Sequence, residues 1–500
     1  MQEPIYGIDL GTTNSCIAVM GEDGEPHVIE NFEGYKTTPS VVYYDDMGNV
    51  LVGDEAKRLM GGDSEHTVAF IKREIGNPNY NRVIYGENIT PLKISAMILK
   101  KVVADANDQR KAEGLEPINK AVITVPAYFG STECEITRQA GEIAGLEVLK
   151  LIPEPTAAAI SYGTKSLEGK TFMVYDLGGG TFDISIMRVN NGQLEELAND
   201  GDHHLGGVDW DIALADYAFQ LCGLDVSFAE IQETIQAGRI LLSAEQAKKM
   251  LSRSTETNMK FSYNRHPYTA KITRDDFENL MSDSVDQTIL LMRRAIKNSK
   301  TPLQISDIDE IILVGGSSYM PMIRKAIEAE FPTAKITLDR LKPDQAVAEG
   351  AAIYASMPHE KTVQTVSPCA YGLGCYSQDK KVSSHLINRG DKYGTLNKDM
   401  FTTRYDNQTS VNLEIYSDRS YEAEVPVSRC KLLASKPLCW TKPVPKGSKI
   451  EVSFHLTSDG ILKVYGECGG TKVNFDLDVQ GASQKEVEDA INDIKNKTIG

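Results

Sequence analysis

The sequence predicts an α/β fold in two lobes over residues 1–356, a β-sandwich domain over 368–480, and one short C-terminal helix within 481–500. Three observations carry this prediction. Through residue 356, short apolar strands ending in glycine or proline alternate with helical stretches, the texture of an α/β domain. A glycine-rich hairpin motif occurs twice in that region, a lobe's length apart. After residue 368 the pattern changes to apolar–polar alternation, the period of half-buried strands.

In the first region the apolar runs Ile5–Ile8, Ala121–Val125, Thr171–Tyr175 and Ile311–Val314 read as strands. A helix is expected from about Thr132 to Ala144, with Gly145 as the glycine that ends it. Another opens with Pro155 in its first turn and stops near Gly163. Thr273, with Asp276 three residues on, reads as a capping box that opens one long helix through Met292 and Ile296. Pro343 is expected to open a helix that includes Ala346–Ala352. Residues 357–367 are mostly polar and read as a linker.

In the sandwich region Ile450, Val452, Phe454 and Leu456 alternate with polar residues, Ser458-Asp459-Gly460 makes a turn, and Ile461–Tyr465 returns as the second arm of a hairpin. Val473, Phe475, Leu477 and Val479 alternate again. Ser483 and Glu486 form a second capping box, and Val487, Ile491 and Ile494 fall at helical spacing. A helix this short is marginal alone, so it is expected to dock, and the β-domain is the expected platform.

Bulk composition narrows the function. Of the 500 residues, 41% are hydrophobic and 25% charged, as in folded globular proteins. The net charge of -17 argues against general nucleic-acid binding, because a phosphate backbone needs counter-charge. No uncharged apolar run reaches the ~18–20 residues that a membrane span requires. Met1-Gln2-Glu3-Pro4 does not begin a secretory signal, so a cytoplasmic monomer is the expectation. Cys16, Cys134, Cys222, Cys369, Cys375, Cys430, Cys439 and Cys468 include no Cys-x-x-Cys pair. Reduced structural thiols are the expected reading, against a redox cluster beyond residue 360.

The repeated motif carries the chemistry. Residues 7–15 read Gly-Ile-Asp-Leu-Gly-Thr-Thr-Asn-Ser, and residues 176–183 read Asp-Leu-Gly-Gly-Gly-Thr-Phe-Asp. Each follows an apolar strand and places an aspartate before glycine and a hydroxyl residue. Glycines let backbone N–H groups approach phosphate oxygens, and the threonine hydroxyls add donors. Like charge keeps Asp9 and Asp176 from touching phosphate, but either carboxylate can hold Mg²⁺ through water. One such hairpin is as readily an ordinary turn; two matched copies point to a phosphate clamp. A third element, Ile311-Ile312-Leu313-Val314-Gly315-Gly316-Ser317, runs a buried strand into paired glycines, where backbone can approach a base or ribose.

At these three motifs the chain resembles the actin-like ATPase superfamily, and within it the seventy-kilodalton heat-shock chaperones. The matching segments are Gly7–Cys16, Phe70–Gly76, Val125–Phe129, Leu146–Gly163, Tyr175–Ile186, Gly201–Gly207 and Ile311–Pro321, in that family's order. The resemblance implies an actin-like ATPase domain that takes ATP or ADP with Mg²⁺. It implies that Lys72 is the catalytic lysine, that Glu154 is a carboxylate near Mg²⁺ and Pro126 a switch proline, and that Asp9 and Asp176 surround the metal's water shell. Gly11, Thr12, Thr13, Asn14, Gly178, Gly179, Gly180 and Thr181 would hold phosphates, with Asp183 a further acid at the site and Gly206 and Gly207 lining it. Glu245, Lys248, Lys249 and Ser252 match an adenosine-contacting helix, and Gly315, Gly316, Ser317, Tyr319 and Asp344 complete that set. The partners implied are extended apolar peptides of unfolded proteins, a J-domain co-chaperone and a nucleotide-exchange factor.

The departures from the family bear on coupling. Tyr319 stands where the family has an arginine against adenine. Gly130-Ser131-Thr132-Glu133-Cys134 replaces an Asn-Asp-x-Gln-Arg stretch, so Cys134 takes the place of an arginine tied to interdomain communication. The linker around Lys361–Val366 lacks the leucine-rich run and is expected to dock less surface. Met400, Phe401 and Val411 are candidate peptide-cleft residues, with Phe401 and Val411 equally suited to a core. Beyond the 483–497 helix no helical lid is present in the sequence, which predicts faster peptide release. Three functions compete: an ATP-driven peptide-binding chaperone, a nucleotide-dependent module for one dedicated partner, and an actin-fold small-molecule kinase. The β-domain argues against the last.

Overall fold

The computed structural model describes residues 4–232, 234–337, 342–357, 363–457, 460–468, 471–476 and 482–500. Up to residue 356 its two largest sheets share one strand order. In the first, Tyr6–Asp9 pairs antiparallel with Asn14–Met20 and parallel with Lys120–Val125, while Pro26–Val28 and Glu147–Pro153 lie outermost. In the second, Thr171–Leu177 pairs antiparallel with Phe182–Asn190 and parallel with Glu310–Val314, while Gln193–Asp202 and Lys335–Thr337 lie outermost. The central strands read as continuous apolar runs because helices cover them; every residue of Thr171–Leu177 is buried.

Small residues join the two sheets. The Ala346–Ser356 helix crosses the Tyr6–Asp9 strand and the Glu154–Tyr162 helix so closely that side chains are excluded. A Cβ at Gly7 would stand 2.1 Å from the Ala352 nitrogen, and one at Gly350 would stand 1.8 Å from the Ala157 carbonyl oxygen. Both are far inside van der Waals contact, so only glycine fits.

Local signals fare well in this region. Ser131–Ile143 is helical and Gly145 follows it at φ 95°. The Thr273 capping box forms, with the Asp276 amide donating to the Thr273 hydroxyl oxygen at 3.1 Å. The expected single long helix, however, is two. Arg274–Leu280 ends at Met281, which leaves helical geometry at φ -96° and ψ 3° to bury its side chain, and Ser282–Asn298 starts anew. The helix expected from Pro343 starts at Ala346, because Lys342–Gln345 closes a turn through a 2.8 Å bond from the Gln345 amide.

The described residues between 370 and 476 form two packed antiparallel sheets. One has the order Glu424–Pro426, Lys380–Ile387, Ala370–Ser377, Gln408–Asp418, Lys431–Val444. The other has the order Leu396–Thr402, Lys449–Leu456, Leu462–Cys468, Thr471–Asp476. Ile450, Val452, Phe454 and Leu456 all face the shared core, as their alternation requires. Ser458, Asp459, Leu477 and Val479 lie outside the described residues.

One expectation about how the parts meet is corrected. The C-terminal helix, Gln484–Asn496, packs not on the sandwich but on the first lobe, where Ala490 and Ile494 join the core beneath the Pro91–Ala112 helix. Its amphipathic stripe finds an apolar groove there, and the Lys93 ammonium pairs with Asp493. Of the linker, residues 363–367 are described, and Val363 and Val366 pack against the second lobe. The Gln364 amide donates to the Leu194 carbonyl at 3.0 Å, and the Glu196 amide donates to the Gln364 carbonyl at 2.8 Å. All eight cysteines are free thiols. Among the described residues, no helix is long and apolar enough to cross a membrane.

Candidate functional site

The two glycine hairpins face each other across the cleft between the lobes. A Cβ at Gly179 would come within 1.8 Å of the Thr13 hydroxyl oxygen, and one at Gly180 within 2.2 Å of Thr12 Cγ2. Hydroxyl residues of one loop thus fill the space that side chains of the other would need. Neighbouring backbone fixes each loop. The Ser40 hydroxyl donates to the Gly11 carbonyl at 2.7 Å, and the Gly178 amide donates to the Thr181 carbonyl at 3.0 Å. The Gly207 and Val208 amides, at the start of the Gly207–Leu221 helix, donate to Gly178 and Gly179 carbonyls at 3.0 and 2.7 Å.

Beneath the loops, buried acids surround one buried cation. Asp9 and Asp176 stand at or near the ends of equivalent strands. Glu154 opens its helix, and Lys72 sits in the single turn Ile71–Glu74. The Lys72 ammonium donates to Glu154 Oε1, with the two side chains 5% and 8% exposed. Burial pushes the Asp9 carboxyl up to about 7, the Glu154 charge adds to this, and Lys72 with the Thr124 hydroxyl at 3.2 Å opposes it. Asp176 and Asp183 lie well above the usual carboxylate range, first through burial and then through neighbouring carboxylates. Burial disfavours the Lys72 charge, but Glu154, Asp9 and Asp183 outweigh it and hold that amine above its ordinary value.

This excess of buried carboxylate over cation suits a hard divalent ion. Asp183 adds a second sign: its Oδ1 accepts from the Ala127 amide at 3.0 Å, while its buried Oδ2 has no partner. Among the described residues no three acids stand close enough to ligate one ion directly. The residues present therefore fit Mg²⁺.

The wider cleft gathers most of the expected residues. Asp9, Gly11, Thr12, Thr13, Asn14, Lys72, Glu154, Asp176, Gly178, Gly179, Thr181, Glu245, Lys248, Lys249, Gly315, Gly316, Ser317 and Asp344 line it. Gly180 and Gly206 press on each other behind it, where a Cβ at Gly206 would stand 2.8 Å from the Gly180 nitrogen. Gly315 sits at φ 81° against the Asp176 carboxylate, a conformation and a closeness that suit glycine. Burial opposes ionisation of Glu245, yet Lys57 and Lys249 pull its carboxyl down to about 2.

Asp183 and Gly207 also lie behind the lining, and Ser252 and Tyr319 stand apart from it. Ser252 caps its own helix, donating to the Lys249 carbonyl at 2.7 Å, and Tyr319 is not among the lining residues. Met400, Phe401 and Val411 do not form one cleft either. Phe401 and Val411 pack against the sandwich core, and Met400 is 48% exposed. Alternation tells that two residues share a face, not whether that face is a groove or an interior.

Several residues at the site carry no sequence signal. Lys57 reaches across the cleft to Glu245 at 2.9 Å. The Arg73 Nε donates to the Gly180 carbonyl at 2.6 Å, and its guanidinium pairs with Asp209. Asp211 binds Lys248 at 2.8 Å, and burial lifts its carboxyl to about 6. These pairings join residues far apart in sequence, and only Arg73, next to Lys72, could have been found by adjacency.

Two lobes of matching topology, each presenting a glycine hairpin and an acidic strand end to one cleft, define a bilobal α/β protein with a carboxylate-rich site at the lobe junction. The family model described as Hsp70 protein matches residues 5–84 and 77–498. The chain belongs to the Hsp70 protein family. That membership supports a nucleotide-dependent function of the chaperone type.

Proposed function

We propose that this chain hydrolyses Mg²⁺-ATP and uses the cycle to control binding of extended apolar polypeptide segments by its β-sandwich. The observation that carries the reading is the buried Lys72–Glu154 pair among Asp9, Asp176 and Asp183, directly beneath two facing hairpins. Backbone amides of Gly11–Thr13 and Gly178–Thr181 would bind the phosphate oxygens. Lys72 would offset charge developing on the γ-phosphoryl group and position the attacking water. The raised carboxyls of Asp9, Asp176 and Asp183 would ionise fully once a divalent ion is bound, and Mg²⁺ would then supply neutralisation between the phosphates. Gly315, Gly316 and Ser317 would lie against the nucleoside, with Glu245 reaching the ribose.

The peptide half of the reading rests on the Leu396–Thr402 strand. Among the described residues it pairs on one side only, with Lys449–Leu456, and it exposes Leu396 at 62% and Met400 at 48%. An open edge with apolar side chains suits an extended chain added as a further strand. The packing of the half-buried Phe401 and Val411 against the sandwich core favours a second reading, in which that edge serves one dedicated partner.

ATP turnover with and without a short extended apolar peptide separates the two. Stimulation by unrelated apolar peptides supports the general chaperone. Intact basal turnover that no peptide alters supports the dedicated partner. Absence of any turnover, with ATP and Mg²⁺ saturating, defeats both.

A further inference from the structure

The chain carries a net charge of -17, yet from Arg429 to Lys449 it has six Lys or Arg residues and no Asp or Glu. Most of this stretch is the Lys431–Val444 strand, which lies at one end of its sheet and, among the described residues, pairs only with Gln408–Asp418. The strand begins against the first lobe, where the Lys431 ammonium stands 3.7 Å from Glu133. Further along, the charges have no counterpart. Lys436, Lys442, Lys446 and Lys449 are all exposed, and among the described residues none of the four ammonium groups meets a carboxylate. Other lysines of the sandwich are paired, Lys381 with Glu414 at 2.5 Å and Lys398 with Glu451 at 3.5 Å.

Lysine and proline keep a sheet edge from pairing with another chain, and Lys436, Pro437 and Pro443 do so here. Edge protection does not explain the rest. Lys446 lies beyond the edge strand, and Lys449 opens the Lys449–Leu456 strand of the other sheet. Carboxylates also blunt an edge, and the chain has 70 Asp and Glu against 53 Lys and Arg, so a stretch without one runs against its own composition. Neighbouring like charges repel, and an anion laid along the row relieves that repulsion. The row is also linear. Lys436 and Lys442 stand at most about 20 Å apart at the rise of an extended strand, a reach that suits the carboxylates of an extended polypeptide. The stretch has one aromatic side chain, Trp440. It is 7% exposed and donates its indole N–H to the Gln408 carbonyl at 2.7 Å, so it offers no face for stacking a base or entering a bilayer. Lysines, which are point charges without the planar fork that favours phosphate, supply every cation after Arg429.

We propose that the row from Lys436 to Lys449 is a docking surface for an extended acidic segment of a partner polypeptide. Pro437 and Pro443 remove two backbone donors from the strand, so the segment is held by ammonium groups rather than added as a further strand. Contacts of this kind are solvent-exposed, which makes the binding weak, fast and sensitive to salt. The surface is separate from the open Leu396–Thr402 edge, which belongs to the other sheet, and it does not depend on what that edge binds.

Fluorescence anisotropy of a labelled Glu-Gly repeat peptide, titrated with the full chain, tests this. The peptide is expected to bind at low ionic strength and to bind about tenfold or more weakly as salt rises from about 0.02 to about 0.2 M and the Debye length shortens. Lys442→Glu combined with Lys446→Glu is expected to weaken binding by about tenfold or more. Lys442→Gln combined with Lys446→Gln removes charge without reversing it; it is expected to weaken binding by less, and it carries the test if the Glu pair does not fold. Lys260→Glu, at an exposed lysine of the Glu256–Tyr263 strand in the second lobe, is expected to leave affinity unchanged. An excess of unlabelled apolar peptide is expected to leave the probe bound. No binding at low salt overturns the proposal, as does an equal loss in Lys260→Glu or displacement by the apolar peptide. Tighter binding of an oligothymidylate, or of vesicles of phosphatidylserine and phosphatidylcholine, overturns it in favour of a nucleic-acid or membrane surface.

Discussion

The Lys72 ammonium and the Glu154 carboxylate form an ion pair inside a pocket where both side chains are almost wholly out of water. Lys72 comes from a single turn of the first lobe, and Glu154 opens a helix at the lobe junction. Burying two charges is favourable only when they are well paired, and removing one partner strands the other. The pair therefore has a measurable signature beyond catalysis.

Lys72→Ala is expected to keep ATP affinity and to lose turnover by about two to three orders of magnitude, the scale of one lost electrostatic contact to the reacting group. Without nucleotide, the variant is also expected to unfold more easily, by roughly 3 kcal/mol, because Glu154 stays buried without its cation. Normal turnover in single-cycle measurements removes Lys72 from the mechanism.

Gly180→Ala places a methyl group where Thr12 now lies, 2.2 Å from its Cγ2. Since the contact joins the two hairpins, the expected result is ATP affinity weakened by about tenfold or more, equivalent to roughly 1.4 kcal/mol. Titration calorimetry reads this directly. Unchanged affinity means that the hairpins do not both contact phosphate.

Removal of divalent ions by chelation is expected to abolish turnover and to weaken ATP binding, because the phosphate charge beside the buried acids then lacks its counter-ion. Mg²⁺ is expected to restore both. Full activity in excess chelator contradicts the reading of Asp9, Asp176 and Asp183 as an ion-binding group.

Glu196 gives a prediction with a definite sign. Burial raises its carboxyl from 4.5 to about 7, opposed by bonds from Val366, Ser185 and Asn199. A raised folded-state value means that its contribution is fully present below about pH 4.5 and is lost as pH rises through about 7. Glu196→Gln mimics the protonated form. Its unfolding free energy is expected to match the parent's at pH 4.5 and to exceed it at pH 8, by an amount on the order of 1–3 kcal/mol, with the thermal midpoint rising accordingly. A lower midpoint at pH 8 shows instead that the ionised carboxylate is the form the linker needs.

The parts of the molecule legible in its sequence are those set by neighbours along the chain. Both hairpins, both capping boxes and the central strands follow from glycine, hydroxyl and apolar residues within a few positions of one another. The residues that went unseen, among them Lys57, Arg73, Asp211 and Ser40, earn their places through contacts across the cleft or between distant segments. The C-terminal helix shows the same limit. Val487, Ile491 and Ile494 announce an apolar stripe, but its destination depends on a groove lined from the Pro91–Ala112 helix far upstream, where Ala490 and Ile494 are buried. Phe401 and Val411 show a third case, since one alternating pattern serves a groove or an interior equally well.

The bare contacts at Gly7 and Gly350 have a mechanical consequence. Backbone meets backbone there, so the lobes share an axle with no compressible padding. Any rotation of the lobes about such an axle would act on the Lys57–Glu245 pair that spans the cleft. An alanine at either glycine would act as a wedge at the short arm of this lever. Its effect would register less as lost packing than as a changed gape at the opposite end, where a nucleotide must enter and leave.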